Sequence, residues 1–157
     1  MISCHERIIR ATIHLFHYCD HLRIQNPCSQ TPMTEGFHVK DYGQPVKRYV
    51  QTMDLKDDPE LIAEYRRRHS QEESWKEIRD GIREVGILDM QIFILGTRLV
   101  MIVETGLDFD WDSAMARLAT LPRQQEWEDY MAIFQKCAEG ATSDEKWQMM
   151  DRIFYLY

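Results

Sequence analysis

Alternating and helical spacings of apolar residues begin near residue 47 and predict a series of regular elements. Residues 48–55 place Tyr49, Met53 and Leu55 on one face of an extended segment, which predicts a strand. The following Asp-Asp-Pro-Glu of residues 57–60 predicts a helix start, because it offers an acidic cap, a proline at the first helical position and acid in the first turn.

This helix is predicted to continue to about residue 85 and to end at Gly86. Its apolar residues form two stripes, one with Leu61, Tyr65 and His69 and the other with Trp75, Ile78, Ile82 and Val85. At about 100° per residue the second stripe is rotated by roughly a quarter turn from the first. We therefore expect a kink or a short break near residues 70–74.

Two further strands are predicted at residues 87–95 and 98–105, joined by Gly96-Thr97 as a Gly-X hairpin turn. The alternation predicts one shared face for Leu88, Met90, Ile92 and Ile94.

The remaining chain predicts a second helical region and a last strand. The helical region covers residues 111–118 and 126–135 and is interrupted at Leu121-Pro122. Residues 137–144 are predicted to be a loop, and residues 147–157 a strand, with alternating Met149, Ile153, Tyr155 and Tyr157.

The predicted order β-α-β-β-α-β is that of the α+β ferredoxin-like fold. Two helices cover only one face of a four-stranded sheet. The other face of such a sheet is commonly buried by a second copy or by a ligand, so we expect a homodimer in the form of a dimeric α+β barrel.

Composition narrows the classes of protein that the chain could represent. Its 157 residues are 44% hydrophobic and 11% aromatic, which supports a packed core and excludes a wholly disordered chain. The net charge of -7 argues against partners such as nucleic acid or an anionic membrane surface. No apolar run approaches the ~18 residues of a membrane-spanning helix.

The N-terminal segment differs from the rest of the chain. Five of the six histidines and three of the four cysteines precede residue 39. Zinc binding is one interpretation, but no C-x2-C spacing accompanies these histidines, so accidental composition is favoured. We expect residues 1–40 to be a poorly ordered extension and residues 41–157 to be the domain. The irregular cysteine spacing favours a reducing, cytoplasmic location.

Chemistry-bearing residues are few, since the common nucleotide, phosphate-loop and zinc-hydrolase motifs are missing from the sequence. Tyr65 and His69 are four residues apart and share the helix face that points to the sheet. A phenol beside an imidazole in a half-apolar pocket suits proton transfer to a neutral polar ligand. A hydrogen-bonded core histidine beside a core tyrosine is the alternative, and the pattern alone favours it.

Two other groups could contact a ligand. Trp127 and Tyr130 are three residues apart on a helix and suit stacking on a sugar ring, although plain core packing gives the same pattern. Glu104 is a carboxylate among apolar strand neighbours. It could hold His69, accept a sugar hydroxyl or be exposed at the strand end.

Several separated motifs, from about residue 42 to the end of the chain, resemble the L-rhamnose mutarotase family. The resemblance is carried by residues 54–59 (DLKDDP), 65–69 (YRRRH), Trp75 before Glu77, 86–92 (GILDMQI), 96–104 (GTRLVMIVE), 126–131 (EWEDYM) and 145–154, which begin with EKW.

The resemblance implies a ferredoxin-like dimer that interconverts the α and β anomers of a 6-deoxyhexose without a metal or cofactor. It implies that His69 is the proton donor and Tyr65 a sugar-binding residue. The family's aromatic pair corresponds to Trp127 and Glu128, so its second member is acidic in this chain. A substrate tyrosine of the rhamnose enzymes corresponds to Met90. These differences predict L-fucose as the preferred sugar.

Mutarotation suits these residues, because opening the pyranose needs an acid at ring oxygen O5 and a base at the O1 hydroxyl. His69 is expected to act at O5. Tyr65, Glu104 or a bound water could act at O1, and Trp127 and Tyr130 could grip the rest of the sugar. Two other functions remain open on the sequence: a noncatalytic ferredoxin-like binding or regulatory module, and a heme- or quinone-handling monooxygenase of the same architecture.

Overall fold

A computed structural model describes residues 36–138, 141 and 143–157. The chain divides into two units, residues 1–40 and residues 41–157. The interpretations given above for the cysteines and histidines that precede residue 36 lie outside the described residues. No helix in the described part of the chain is long and apolar enough to span a membrane.

The second unit is an α+β domain with one antiparallel sheet. Its elements are β1 (Val46–Asp54), α1 (Pro59–Arg68), α2 (Lys76–Glu84), β2 (Ile87–Leu95), β3 (Arg98–Gly106), α3 (Trp111–Leu118), α4 (Gln124–Ala132), α5 (Ser143–Lys146) and β4 (Gln148–Met149). The strand order is β2-β3-β1-β4, with β1 paired to β3 and β4 and β2 paired to β3. This confirms the predicted ferredoxin-like sheet.

The predicted long helix consists of two helices, α1 and α2, with a break where the apolar stripe changes phase. Asp58 caps α1 by accepting hydrogen bonds from the backbone N–H groups of Glu60 and Leu61. Gly86 follows α2 with φ of +94°, a conformation that favours glycine. The break matters for the site because it places His69 at the end of α1 rather than inside a helix.

The β2–β3 hairpin has the predicted turn, but its register differs at the start of β2. A bulge between Ile87 and Asp89 inserts one residue into the pairing with β3. As a result Ile87 is buried in the core, whereas Leu88 is only half-buried. The bulge reverses the alternation for Ile87, which therefore joins Met90 and Ile92 on the core face although the sequence pattern did not include it.

The two faces of the sheet are covered differently. The helix-covered face carries two cores, one of Met53, Leu55, Tyr65, Leu99, Met131 and Phe134 and the other of Ile87, Met101 and Val103. Ile92 and Trp147 pack against both cores. The open face carries the intervening residues of β1 and β3, such as Val50 and Ile102, which pair in register.

The predicted last strand is wrong over most of its length within a single chain. Only Gln148 and Met149 pair with β1, and one more hydrogen bond joins the N–H of Met150 to the carbonyl of Val50. Residues 150–157 are exposed and form no strand, although their sequence alternates. Alternation predicts a strand only where a partner supplies hydrogen bonds, and the ladder with β1 ends at Met149 apart from the single bond of Met150. The predicted loop 137–144 also ends early, because α5 begins at Ser143.

Candidate active site

Tyr65 and His69 form the centre of the candidate site. Tyr65 lies in α1 and is 3% exposed, and His69 follows at the C-terminal cap of the same helix. Their ring centroids are 4.0 Å apart with an interplanar angle of 31°. The structure therefore brings the two residues together on the side of the helix that packs against the sheet, as the four-residue spacing predicts.

Hydrogen bonding fixes the orientation of the His69 ring. Its Nδ1 lies 2.9 Å from the backbone carbonyl oxygen of Tyr65, and the His69 backbone N–H donates to the same oxygen at 3.2 Å. A carbonyl accepts only, so Nδ1 carries the proton in this contact. The other ring nitrogen, Nε2, is then the lone-pair nitrogen when the imidazole is neutral.

Burial lowers the pKa of His69 below its ordinary value, and the Tyr65 carbonyl opposes this effect only in part. His69 is consequently neutral near pH 7, with Nε2 ready to accept a proton. Burial also raises the pKa of Tyr65, with a smaller contribution from the charge of Glu128, so the phenol keeps its proton.

One tryptophan contacts the His69 ring, and a second packs against the first. Trp127 of α4 meets the His69 ring edge to face with centroids 5.4 Å apart. Trp75, at the N-terminal cap of α2, lies 5.2 Å from Trp127 and stacks parallel to Tyr130 at 6.1 Å. The Arg123 guanidinium lies 3.9 Å from the centroid of Trp75. We call Tyr65, His69, Trp75, Trp127 and Tyr130 the aromatic cluster.

Tyr130 joins this cluster with its hydroxyl already engaged. The hydroxyl donates to Glu64 of α1 at 3.1 Å, and Arg68 lies over the ring at 5.5 Å. Arg68 also binds Glu64 at 2.7 Å, and only 28% of its side chain is exposed. The three arginines of residues 66–68 differ in their surroundings: Arg66 and Arg67 are exposed, but Arg68 links α1 to Tyr130 of α4.

Glu128 is half-buried and faces a lysine. Its Oε2 lies 3.2 Å from Nζ of Lys146, and 38% of the Glu128 side chain is exposed, against 6% for Lys146. Its charge reaches Tyr65, as the raised pKa of that phenol records. Asp129, by contrast, is exposed and bonds to Gln125 on its own helix. The carboxylate of Glu128 thus binds Lys146 and acts on Tyr65 of the aromatic cluster. The carboxylate of Asp129 bonds only within its own helix among the described residues.

Two residues predicted to bind the sugar lie elsewhere. Met90 packs against the second core, with Ile87, Met101 and Val103. Glu104 lies on the open face, where Arg48 Nε donates to it at 3.0 Å and the Tyr42 hydroxyl donates at 2.8 Å. Glu104 does not hold His69, because the sheet separates the two side chains. Glu104 is also not exposed at the strand end, since only 5% of its side chain is accessible.

A cavity of about 500 Å³ lies beside the cluster and not within it. It is lined by Met53, Asp54, Arg98, Lys136, Cys137, Ala138, Ala141, Glu145, Lys146 and Gln148. Lys146 lines the cavity and also binds Glu128, the neighbour of Trp127 in α4. The oriented imidazole of His69 lies in the aromatic cluster, which makes the cluster the candidate for the site of chemistry.

Sequence reasoning placed Trp75 on an apolar stripe but not beside Trp127, and it missed the burial of Lys146 and Gln51. The contact between Trp75 and Trp127 joins distant parts of the chain and has no local signal in the sequence. Lys146 carries no such signal, since a lysine next to acidic residues reads as exposed. Gln51 is 2% exposed on the helix-covered face, and its Oε1 has no partner among the described residues.

Comparison with known proteins identifies the family of this chain. The L-rhamnose mutarotase family matches residues 48–156, which include the sheet except for the first two residues of β1, and the whole aromatic cluster. The chain belongs to the L-rhamnose mutarotase family. It is therefore an isomerase of the sugar mutarotase class.

Two relatives of this mutarotase are each more than a third identical to it over most of its domain. An L-fucose mutarotase of Xanthomonas campestris pv. campestris is 41% identical over 111 residues, covering 71% of this chain and 89% of the relative. A UPF0734 protein of Dictyostelium discoideum is 36% identical over 114 residues, covering 70% and 90%.

A solved structure shares the fold of this mutarotase. The crystal structure of an L-rhamnose mutarotase from Formosa agariphila matches with a TM-score of 0.54 at 20% identity, covering 71% of this chain and 99% of that one. At this identity the match supports the ferredoxin-like architecture.

Proposed function

We propose that this mutarotase interconverts the anomers of L-fucose in preference to those of L-rhamnose, with His69 transferring the proton. The oriented imidazole carries this proposal. The Tyr65 carbonyl occupies Nδ1 of His69 at 2.9 Å, and burial keeps the ring neutral, so Nε2 is a base in the resting protein.

One imidazole is sufficient for both proton transfers of ring opening. Nε2 of His69 takes the proton of the O1 hydroxyl, the C1–O5 bond breaks as its electron pair moves to O5, and the imidazolium returns the proton to O5. Rotation about C1–C2 of the open aldehyde then presents the other carbonyl face. The same steps in reverse close the ring as the other anomer. Positioned acid–base catalysis of this kind contributes ~10²–10⁴-fold.

The sugar is held, in this proposal, by Tyr65, Trp127, Tyr130 and Glu128. Aromatic rings stack on the apolar face of a sugar, and the Tyr65 phenol can donate a hydrogen bond because its pKa is raised. Met90 and Glu104 receive no role at the sugar, since one packs in the second core and the other lies on the open face.

The preference for L-fucose rests on Glu128 and on the relative from Xanthomonas campestris that is named an L-fucose mutarotase. L-Fucose and L-rhamnose differ in configuration at C2 and C4. A carboxylate accepts hydroxyls from particular directions, and a site built for one orientation rejects the epimer more strongly than an apolar site would.

Anomer-exchange NMR with the two sugars tests the proposal. Saturation transfer between the α and β signals is measured for L-fucose and L-rhamnose at equal concentrations, with and without protein. We expect catalysed exchange with both sugars and a larger kcat/KM for L-fucose. A larger value for L-rhamnose would contradict the preference, and exchange unaffected by protein would contradict the activity.

We also propose that the protein is a homodimer in which a second copy contacts the open face and the C-terminal arm. The arm, residues 150–157, includes Ile153, which is 97% exposed, and Phe154, which is 75% exposed. Such apolar side chains, on a segment whose alternation suits a strand, are suited to pairing with another chain. Val50, Val100 and Ile102 give the open face an apolar centre with no helix over it among the described residues.

Sedimentation equilibrium tests the dimer. The full chain is expected to sediment as a dimer, and Ile153→Asp to shift it toward monomer without changing the fold of one chain. Leu107→Asp is the matched control, because Leu107 is exposed but lies outside the arm and the strands. A monomeric full chain, or an equal shift for both variants, would contradict the assignment.

We further propose that residues 41–157 are the mutarotase domain, that residues 1–40 are an extension without a part in it, and that the protein works in the cytoplasm. The family match begins at residue 48, and the chain divides after residue 40. The irregular cysteine spacing and the free thiol of Cys137 support a reducing location, which cell fractionation checks.

A further inference from the structure

Lys146 is a buried cation with a single carboxylate partner among the described residues. Its side chain is 6% exposed, and its Nζ contacts Oε2 of Glu128 at 3.2 Å. Removing an ammonium group from water is costly unless it is paired, and an apolar residue of similar length would fill the same space without this cost. The charge therefore needs a reason beyond packing.

The geometry at Glu128 supplies that reason. Lys146 occupies Oε2, and no donor in the described part of the chain contacts Oε1. Glu128 follows Trp127, whose ring touches His69, and its charge acts on Tyr65. One oxygen of this carboxylate is thus anchored and the other remains available beside the aromatic cluster.

We propose that Lys146 is a positioning residue that anchors Glu128 by one oxygen, so that the other accepts hydroxyl groups of the sugar and discriminates between 6-deoxyhexoses. This inference deepens the proposed function and rests on it. Without the ammonium group, a half-exposed glutamate gains rotamer freedom and turns toward solvent. The carboxylate is then still present, but it no longer accepts hydrogen bonds from particular hydroxyls of the sugar.

The anchor is tested by comparing kcat/KM for L-fucose and L-rhamnose in several variants. Lys146→Met keeps the length and apolar stem and removes the charge, whereas Lys146→Arg retains a cation that can bind Glu128. We expect Lys146→Met to lower the fucose-to-rhamnose ratio about tenfold and Lys146→Arg to restore most of it. Glu128→Gln is expected to lower the ratio to a similar extent.

A double variant separates positioning from simple support of the fold. If Lys146 acts through Glu128, then Glu128→Gln combined with Lys146→Met changes the ratio no further than either change alone. Lys136→Met is the matched control, because Lys136 lines the same cavity without binding Glu128, and its ratio should equal that of the wild type.

The outcomes are distinguishable. An equal fall in the rates for both sugars with an unchanged ratio would overturn the inference and leave Lys146 a structural residue. Additive effects in the double variant would also overturn it. If the wild type catalyses exchange of neither sugar, the proposed function fails and the inference fails with it, whereas wild-type exchange with an unaltered Lys146→Met ratio overturns only the inference.

Discussion

Glu104 and Glu128 lie on opposite sides of one sheet and differ in how many of their hydrogen-bonding positions are occupied. On the open face, Glu104 is nearly buried and saturated, with Arg48 and Tyr42 both donating to it. On the helix-covered side, Glu128 is half-exposed, with one oxygen bound to Lys146 and the other unengaged by described residues. The more buried group is the less available one.

Tyr42 and Tyr65 show the same contrast, since burial raises the pKa of both but only Tyr42 is bound to a carboxylate. The pKa of Tyr42 is raised by burial and by its hydrogen bond to Glu104, so its hydroxyl is committed to that carboxylate. Tyr65 is also kept protonated by burial, but it lies beside an imidazole whose Nε2 is oriented by the backbone. A titratable group becomes a candidate for chemistry when its partners fix it without saturating it.

The largest expected effect is on the helix-covered side. His69→Ala removes the nitrogen that moves the proton and should lower catalysed L-fucose exchange by ~10²–10⁴-fold. His69→Gln should do the same while retaining a polar side chain. Anomer-exchange NMR measures the rate, and circular dichroism checks that both variants are folded.

His38→Ala provides the control for this experiment, since His38 is exposed and belongs to the first unit. Its exchange rate should equal that of the wild type. Wild-type rates in the His69 variants would show that the proton donor lies elsewhere.

On the open face the expected effect is on stability. Glu104→Ala leaves Arg48 and Tyr42 without their acceptor and should lower the free energy of unfolding by about 1–3 kcal/mol, a range reduced because half of Arg48 is exposed. The exchange rate per folded molecule should not change. Denaturant unfolding measures the difference, with Glu84→Ala, at an exposed ion pair with Arg117, as the control.

This contribution also has a predictable pH dependence. The hydrogen bond from Arg48, followed by that from Tyr42, lowers the pKa of Glu104. A lowered folded-state pKa stabilises the protein above the ordinary carboxyl value of about 4.3, and this stabilisation is lost as the pH falls below it. The stability difference between wild type and Glu104→Ala should therefore shrink in acid. A constant difference would contradict the ion pair's role.

A smaller effect is expected on the choice of sugar. Glu128→Trp restores an aromatic residue and removes the carboxylate, so the fucose-to-rhamnose ratio of kcat/KM should fall about threefold to tenfold. Asp129→Asn serves as the control, because Asp129 is exposed on the same helix and bonds to Gln125. If the ratio is the same in all three proteins, discrimination lies outside position 128.

The smallest effect is expected from the N-terminal segment. Removing residues 1–32 should leave the exchange rate unchanged and move the melting temperature by no more than about 2 °C, since these residues precede the family match. Differential scanning calorimetry and the NMR assay check both expectations. A loss of several degrees would show that the segment packs on the domain.

Local signals were sufficient for most of the fold. The Asp58 cap, the phase change after His69 and the Gly96-Thr97 turn each depend on neighbouring residues, and each is confirmed. The bulge after Ile87 and the early end of β4 at Met149 depend on hydrogen-bond partners far along the chain. Alternation could not reveal them because it carries no information on pairing.

The candidate site was likewise predictable only where its residues are close in sequence. Tyr65 and His69 follow from a spacing of four residues, but the side of the sheet on which Glu104 lies depends on its pairing with Arg48 across 56 positions. The burial of Lys146 depends equally on a distant partner, Glu128. Charged residues are read as exposed from sequence, so buried pairs are the features most easily missed.

The pH dependence of catalysed L-fucose exchange tests the central claim, that a neutral His69 accepts the first proton, most directly. Burial lowers the pKa of His69 below about 6.5, so the catalysed rate should be constant above that pH and fall as the pH drops through a midpoint below it. The residual rate of His69→Ala should lack this transition. A catalysed rate that rises as the pH falls, or a midpoint unchanged in His69→Ala, would contradict the account.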